Sequence, residues 1–435
     1  MTQTRSDGVC LLLLGCIVFL LFGFTLEQTS PITMVDFGVV YFPARCLLQH
    51  GDPYKESDVL RVYLAEGGEH LWNSEKDRKS VTRDEYPPSA FCLIAPFALL
   101  PWMPAHLLWI AVTAAGLILS AFLAWDLCAD TAPVFAAALI GFALANCEVA
   151  IVLGNPAGIV ICCCIVAVWC LLRERFVPLG VTCLALSLVV KPHDSGMIWL
   201  YFLLAGGVYR KRALQALGIA AAVSLPAILW VWRVSPNWMQ ELHANIASFA
   251  AYGGSTDPGP ASIGSHGLGM LVNLQTVFSL LRDNPAFYNP ASFAIAGSLL
   301  LVWVWAILRS RPTPQRACLA LASGAALTML PLYHHLYDTK LLLLAVPACV
   351  VLGAQSKRMG RLAMVVTLLC LVLTADLVWA AILMAINGLP GLAARLGGNA
   401  ITAIQVVPAP LAILLLGVFY LYAFIRQPGE ENAAA

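Results

Sequence analysis

Long apolar runs separated by short polar interruptions dominate the chain. They lie at 9–25, 104–126, 132–147, 156–172, 176–190, 194–209 and 213–232, and again at 291–309, 315–331, 338–354, 361–386 and 404–425. A spanning helix needs roughly 20 apolar residues, and packed bundles tolerate fewer, so the pattern predicts an all-α polytopic integral membrane protein with about 12 transmembrane helices. The first run follows a short head containing Arg5, and no small-residue cleavage site stands at 26–30. It therefore reads as an uncleaved helix rather than a signal peptide. The stretch 88–101 is apolar but short and holds Pro88, Pro96 and Pro101, which predicts a half-inserted or re-entrant helix. From Val39 to Leu48 apolar residues recur at helical spacing, as in an amphipathic helix lying on the membrane.

The basic residues orient this array. Arg173 and Arg175, then Arg210, Lys211 and Arg212, then Arg309, Arg311 and Arg316, then Lys357, Arg358 and Arg361, and last Arg426 all fall on the side of the N-terminus. By the positive-inside rule that side is cytoplasmic. The opposite, extracytoplasmic side receives the first loop, 26–103, a second loop, 233–290, and polar junctions at 148–156, 191–195 and 334–340. The expectation is one membrane domain over 1–435, both termini cytoplasmic, with a short tail at 427–435.

Composition sharpens the solvent. Hydrophobic residues make up 60% and charged residues 11%, against roughly 25% charged in soluble domains. Lys+Arg number 25 and Asp+Glu 24, which excludes a basic nucleic-acid binder. The 14 cysteines sit almost entirely in apolar runs, and no C-x-x-C pair or Cys/His cluster has zinc spacing. Cys46 and Cys92 are the pair placed near the outer face, with a disulfide between them left open.

The outer junctions carry the candidate chemistry. Asp36 stands at the start of the 39–48 helix, where it is either an N-cap or a carboxylate at the lip of a cavity. Glu85-Tyr86-Pro87-Pro88 re-enters the membrane with a rigid backbone. Lys191, in Lys191-Pro192-His193-Asp194, must reach water or meet an anion. His334-His335, with Tyr337, Asp338 and Lys340, suits hydrogen bonding to a phosphate or sugar better than a metal, since adjacent histidines do not share a helix face. Asn155 is a helix cap or a ligand contact, and Asp376 is a buried acid satisfied by a neighbouring helix. In the second loop Trp238, His243, Tyr252 and His266 are of types that suit sugar contact. Neither a Walker loop nor a dinucleotide fingerprint occurs. An activated substrate on that side must come from the lipid phase, and a polyprenyl phosphate sugar meets that requirement.

The pattern Asp36-Phe37 with Tyr41, Ala44-Arg45 and Gly51-Asp52-Pro53-Tyr54, then Tyr86-Pro87-Pro88, Gly154-Asn155, Lys191-Pro192 and Tyr333-His334-His335 with Asp338, resembles glycosyltransferase family 87. That family belongs to the GT-C superfamily of integral membrane glycosyltransferases and includes polyprenol-phosphate-mannose-dependent mannosyltransferases. The resemblance covers roughly 30–355. The family often has Gln where Asn155 and His193 stand. The resemblance implies a GT-C-type fold with a large extracytoplasmic first loop, in a cell inner (plasma) membrane. It implies Asp36 as general base for an inverting transfer, and Lys191 with His334 or His335 holding a polyprenyl phosphate. Arg45, Tyr86, Asn155, His193 and Asp338 would be further substrate contacts. The donor would be a polyprenyl-phosphate hexose, mannose by family default, the acceptor a glycolipid or glycan, and no cofactor or metal is called for. The alternative class is a transporter or flippase of a lipid-linked sugar. Such proteins commonly carry inverted repeats, and none is visible in this chain.

Overall fold

The computed structural model describes residues 4–72, 74–262, 270–388 and 397–427. Those residues are helical and connecting segments, with one isolated β-bridge between Leu271 and His335. Helix α1 (Arg5–Thr29) starts in a capping box: the Thr4 hydroxyl accepts from the Asp7 N–H, and the Asp7 carboxylate accepts from the Thr4 N–H. Its 25 residues span about 37 Å. At one end Arg5 pairs with Asp126 and Asp130, and Arg173 joins Asp126. The other end leads to the candidate site.

Between the two ends of the first loop lie α2 (Val35–Leu48), α3 (Glu56–Ala65), α4 (Glu75–Val81) and α5 (Phe91–Ala98). Next come α6 (Trp102–Asp126), α7 (Pro133–Leu144), α8 (Glu148–Leu153), α9 (Ala157–Leu172), α10 (Val177–Val190), α11 (Pro192–Ala205), α12 (Gly207–Val234) and α13 (Trp238–Phe249). The rest of the bundle is α14 (Leu274–Ser279), α15 (Pro285–Leu308), α16 (Pro314–Thr328), a 3-10 helix (Leu336–Leu344) continuing into α17 (Ala345–Gln355), α18 (Lys357–Leu373), α19 (Asp376–Gly388), α20 (Gly398–Val406) and α21 (Pro408–Arg426).

Among the described residues seven helical segments are long and apolar enough to cross a membrane, or eight if α18 and α19, bent by 54° at their break, make one span. The remaining apolar runs also fold as helices, but α9 and α10, with 16 and 14 residues, reach only about 21–24 Å. Each stops at a polar junction rather than running through the full thickness. Leu13, Leu14 and Leu21 of α1, Trp232 of α12, and Leu301 and Trp305 of α15 are exposed, the apolar faces expected against lipid tails. Small residues bring α1 onto α7: a Cβ on Gly15 would lie 2.8 Å from the Cα of Gly141, the close backbone approach that glycine permits in membrane bundles.

One expectation changes, and one open question closes. Helix α2 does not lie open on a surface: ten of its fourteen residues are buried. Phe37 stacks on Trp109 at 4.7 Å, Phe42 stacks on Trp102 at 5.2 Å, and the Tyr41 hydroxyl donates to the Leu100 carbonyl. The apolar periodicity is real, but α4 and α5 of the same loop cover it where lipid was expected. Cys46 and Cys92 are both free. The Cys46 thiol donates to the Asp52 carbonyl and the Cys92 thiol to that of Val223, so the two side chains serve different contacts.

Candidate active site

The site forms where four breaks in the helices meet. Met34, in the left-handed region with φ 58°, caps α2 and donates its N–H to the Val152 carbonyl. Asp36 is thereby the second residue of the helix, not its cap, and its carboxylate is free of the backbone. The cap reading of Asp36 does not hold. Between α8 and α9, Gly154 adopts φ +66°, and its carbonyl accepts from the Trp109 indole at 2.7 Å. A Cβ there would approach Met34 Sδ to 2.7 Å, so glycine lets this turn press against α2. Asn155 follows. At the third break, Pro192 opens α11, and a residue before proline is driven from the helical region. Lys191 therefore ends α10 and precedes α11, with φ −136° and ψ 80°. At the fourth, His334 and Leu336 are tied to the second loop: Val272 N–H donates to the His334 carbonyl and Leu336 N–H to that of Met270, each at 2.8 Å.

One amide joins these breaks. Asn155 Nδ2 donates to Asp36 Oδ2 at 2.8 Å and lies 2.9 Å from the Tyr337 hydroxyl. Its Oδ1 accepts from the Ala157 N–H at 2.9 Å and lies 3.5 Å from Lys191 Nζ. Asn155 thus serves both as a local helix-start acceptor and as a bridge within the site, the two roles the sequence left open. Lys191 Nζ donates to Asp338 Oδ1 at 2.8 Å, stands 3.3 Å from Asp194 Oδ2, and lies 5.4 Å above the Tyr337 ring. Asp338 in turn accepts from the His335 N–H at 2.8 Å. The His335 imidazole stacks on Tyr337 at 5.1 Å.

These groups edge a cavity of about 160 Å³ whose walls include Asp36, Glu85, Tyr86, Asn155, His335 and Tyr337, with Phe249 and Ser255 contributed by the second loop. Burial pushes the Asp36 carboxyl above its ordinary range, and the Asp338 charge adds to this against the Asn155 hydrogen bond, His335 and Lys191. A carboxylate so raised is a better proton acceptor near neutrality than an ordinary aspartate. Glu85 is pushed up to about 7, by burial first and the Asp36 charge second, with Lys191 pulling the other way.

Of the residues expected at the site, Asp36, Tyr86, Asn155 and His335 line the cavity, while Lys191 and Asp338 are joined to it through Asn155 and His335. His193 and His334 gather instead around Asp194, beside the cavity. Arg45 is a correction. It pairs with Glu66 at 3.0 Å and donates to the Ala98 and Leu99 carbonyls, clamping the end of α5 away from the cavity. Tyr252 and His243 are exposed, and Trp238 packs near Tyr54 at 6.2 Å. His266 lies outside the described residues. Asp376 is satisfied as expected, accepting from Lys340 at 2.6 Å and from the Val149 N–H. Glu85 carried no role in the sequence reading. Its position directly before Tyr86-Pro87-Pro88 was the available signal.

The fold and site define a helical, polytopic membrane protein with a buried cluster of carboxylates, a lysine and imidazoles beside a cavity. The model of glycosyltransferase family 87 matches residues 85–332, more than half of the chain, and the chain belongs to that family. The matched region includes Asn155 and Lys191 but stops short of Asp36 and His335. No curated protein and no solved structure matches the chain. Membership sets aside the alternative of a transporter or flippase.

Proposed function

We propose that this glycosyltransferase is an inverting enzyme using a polyprenyl-phosphate sugar as donor. The sugar is a hexose, mannose in the first instance, and the acceptor is a hydroxyl of a glycolipid or glycan at the outer face of the plasma membrane, with both termini cytoplasmic. One observation carries the reading: the Asp36 carboxylate is detached from its own helix backbone, faces the cavity, and is linked by the single Asn155 amide to Lys191. Asp36 takes the proton of the acceptor hydroxyl as its oxygen attacks the anomeric carbon. The bond to the phosphate oxygen breaks on the opposite face, and polyprenyl phosphate leaves with the electron pair. Charge collecting on that phosphate is stabilised by preorganised donors; His335, on the cavity wall, and Lys191, behind Asn155, are the candidates.

The test is Asp36→Asn in the purified full chain, supplied with a panel of polyprenyl-phosphate sugars and acceptors, with released lipid phosphate read by mass spectrometry. The wild type releases lipid phosphate from one donor, and the variant loses roughly a hundredfold to ten-thousandfold in turnover. Undiminished transfer by Asp36→Asn would falsify the base assignment.

A further inference from the structure

Lys191 is poorly placed to attract a phosphate unaided. Its ammonium faces two carboxylates, Asp338 at 2.8 Å and Asp194 at 3.3 Å, so the group carries a net negative formal charge before any anion arrives. Positive charge has to come from elsewhere, and the far side of Asp194 shows where it can enter. His334 Nε2 lies 3.2 Å and His193 Nε2 3.8 Å from Asp194 Oδ1. All three side chains offer one ligand atom within 4.8 Å of the others. Among the described residues none of these atoms, nor Asp194 Oδ2, has a partner in hydrogen-bond geometry, although His334 and Asp194 are buried. Buried polar atoms left in this way are uncommon and call for a bound group.

A second observation concerns the tautomer. His334 Nδ1 lies 3.3 Å from the Leu332 carbonyl, which assigns a proton to Nδ1 and leaves Nε2 facing Asp194 Oδ1 at 3.2 Å. A backbone carbonyl on the outer nitrogen is the usual support of a metal-bound histidine. Either a proton or a metal ion has to lie between His334 Nε2 and Asp194 Oδ1, and metal titration distinguishes the two.

We infer that His193, Asp194 and His334 form a binding site for one divalent transition ion of the zinc class. Ligands at about 2.0–2.2 Å from a shared ion stand about 3–4 Å apart, close to the spacing of these atoms. Three protein ligands of nitrogen and oxygen type leave a fourth position open. The part-exposed His193, against Tyr333 at 5.7 Å, gives the ion a path in. The ion turns the net charge around Lys191 from negative to positive. That consequence, unlike the site itself, rests on the phosphate-donor reading.

The experiment uses the full chain in detergent, stripped with a chelator and titrated with zinc and then cobalt. One zinc per chain is expected, binding in the micromolar range or tighter, with visible ligand-field bands from cobalt. X-ray absorption of the zinc form should give nitrogen and oxygen neighbours at about 2.0–2.1 Å. His334→Ala should weaken zinc at least about tenfold, as loss of even a supporting partner does. The absorption measurement needs no variant and stands if His334→Ala fails to fold. Absence of saturable zinc binding, a sulfur-only shell from the cysteines, or equal affinity in a folded His334→Ala overturns the site. Because the readout is metal and not turnover, these outcomes are separate from failure of the donor assignment.

Discussion

Replacing Glu85 by Gln removes a carboxyl that the cavity holds well above its ordinary range. In the fold this group is raised from 4.5 to about 7. Two and a half pH units correspond to about 3.4 kcal/mol. Glu85 borders a cavity large enough for water, so solvent screening reduces this to about 1–2 kcal/mol. The sign follows from proton binding. Between about 4.5 and 7 the folded protein keeps a proton on Glu85 that the unfolded chain has lost, so stability falls as pH rises through this window and levels off above it. Glu85→Gln lacks that decline. It should equal the wild type at pH 4.5 and exceed it by about 1–2 kcal/mol at pH 8. Denaturant unfolding of both proteins in the same detergent, at both pH values, reads the difference; titrating groups distant from Glu85 cancel between them, and the Asp36 charge, which helps raise Glu85, is part of what is read. A gap of the same size at pH 4.5 and pH 8 would refute the reasoning.

Asn155→Ala removes the shared partner of Asp36, Tyr337 and Lys191. Turnover should drop about tenfold to a hundredfold, the worth of a hydrogen bond to a charged group, and steady-state rates at saturating donor check it. Lys340→Met strands Asp376 beside the buried Glu148. It should cost about 3–5 kcal/mol, and adding Asp376→Leu should recover most of the loss; an unchanged melting temperature in the single variant counts against the pairing. Gly154→Ala meets φ +66° and Met34 Sδ at 2.7 Å. It should cost at least about 1–2 kcal/mol and lower turnover by displacing Asn155, which melting and rate measurements on one preparation separate.

Much of this architecture is legible in the chain because lipid permits few backbone solutions. Apolar runs become helices, and polar residues at their breaks, such as Asn155 and Lys191, have to find one another. Their juxtaposition with Asp36 and Asp338 followed from side and order alone. What stayed hidden depends on partners distant in sequence. Arg45 looked like a site residue because its local motif is suggestive, yet Glu66 and the carbonyls of α5 claim it. Glu85 stands at the start of the Tyr86-Pro87-Pro88 re-entry, and only folding of the loop brings it to the cavity wall with Asp36. The Lys340–Asp376 pair spans 36 positions, and no periodicity announces such a match. The shared convergence of His193 and His334 on Asp194 was hidden for the same reason.

Asp36 sits in the first outer loop, and its chemistry depends on an amide, an ammonium and a carboxylate that enter the chain as late as Asp338. During synthesis Asp36 is therefore delivered long before its surroundings. Until the segment carrying Tyr337 and Asp338 docks, Lys191 lacks its closest counter-ion and the cavity one of its walls. Insertion order thus sets when the site first exists: the cluster around Asn155 is complete only after the segment carrying Tyr337 and Asp338 has entered the bundle.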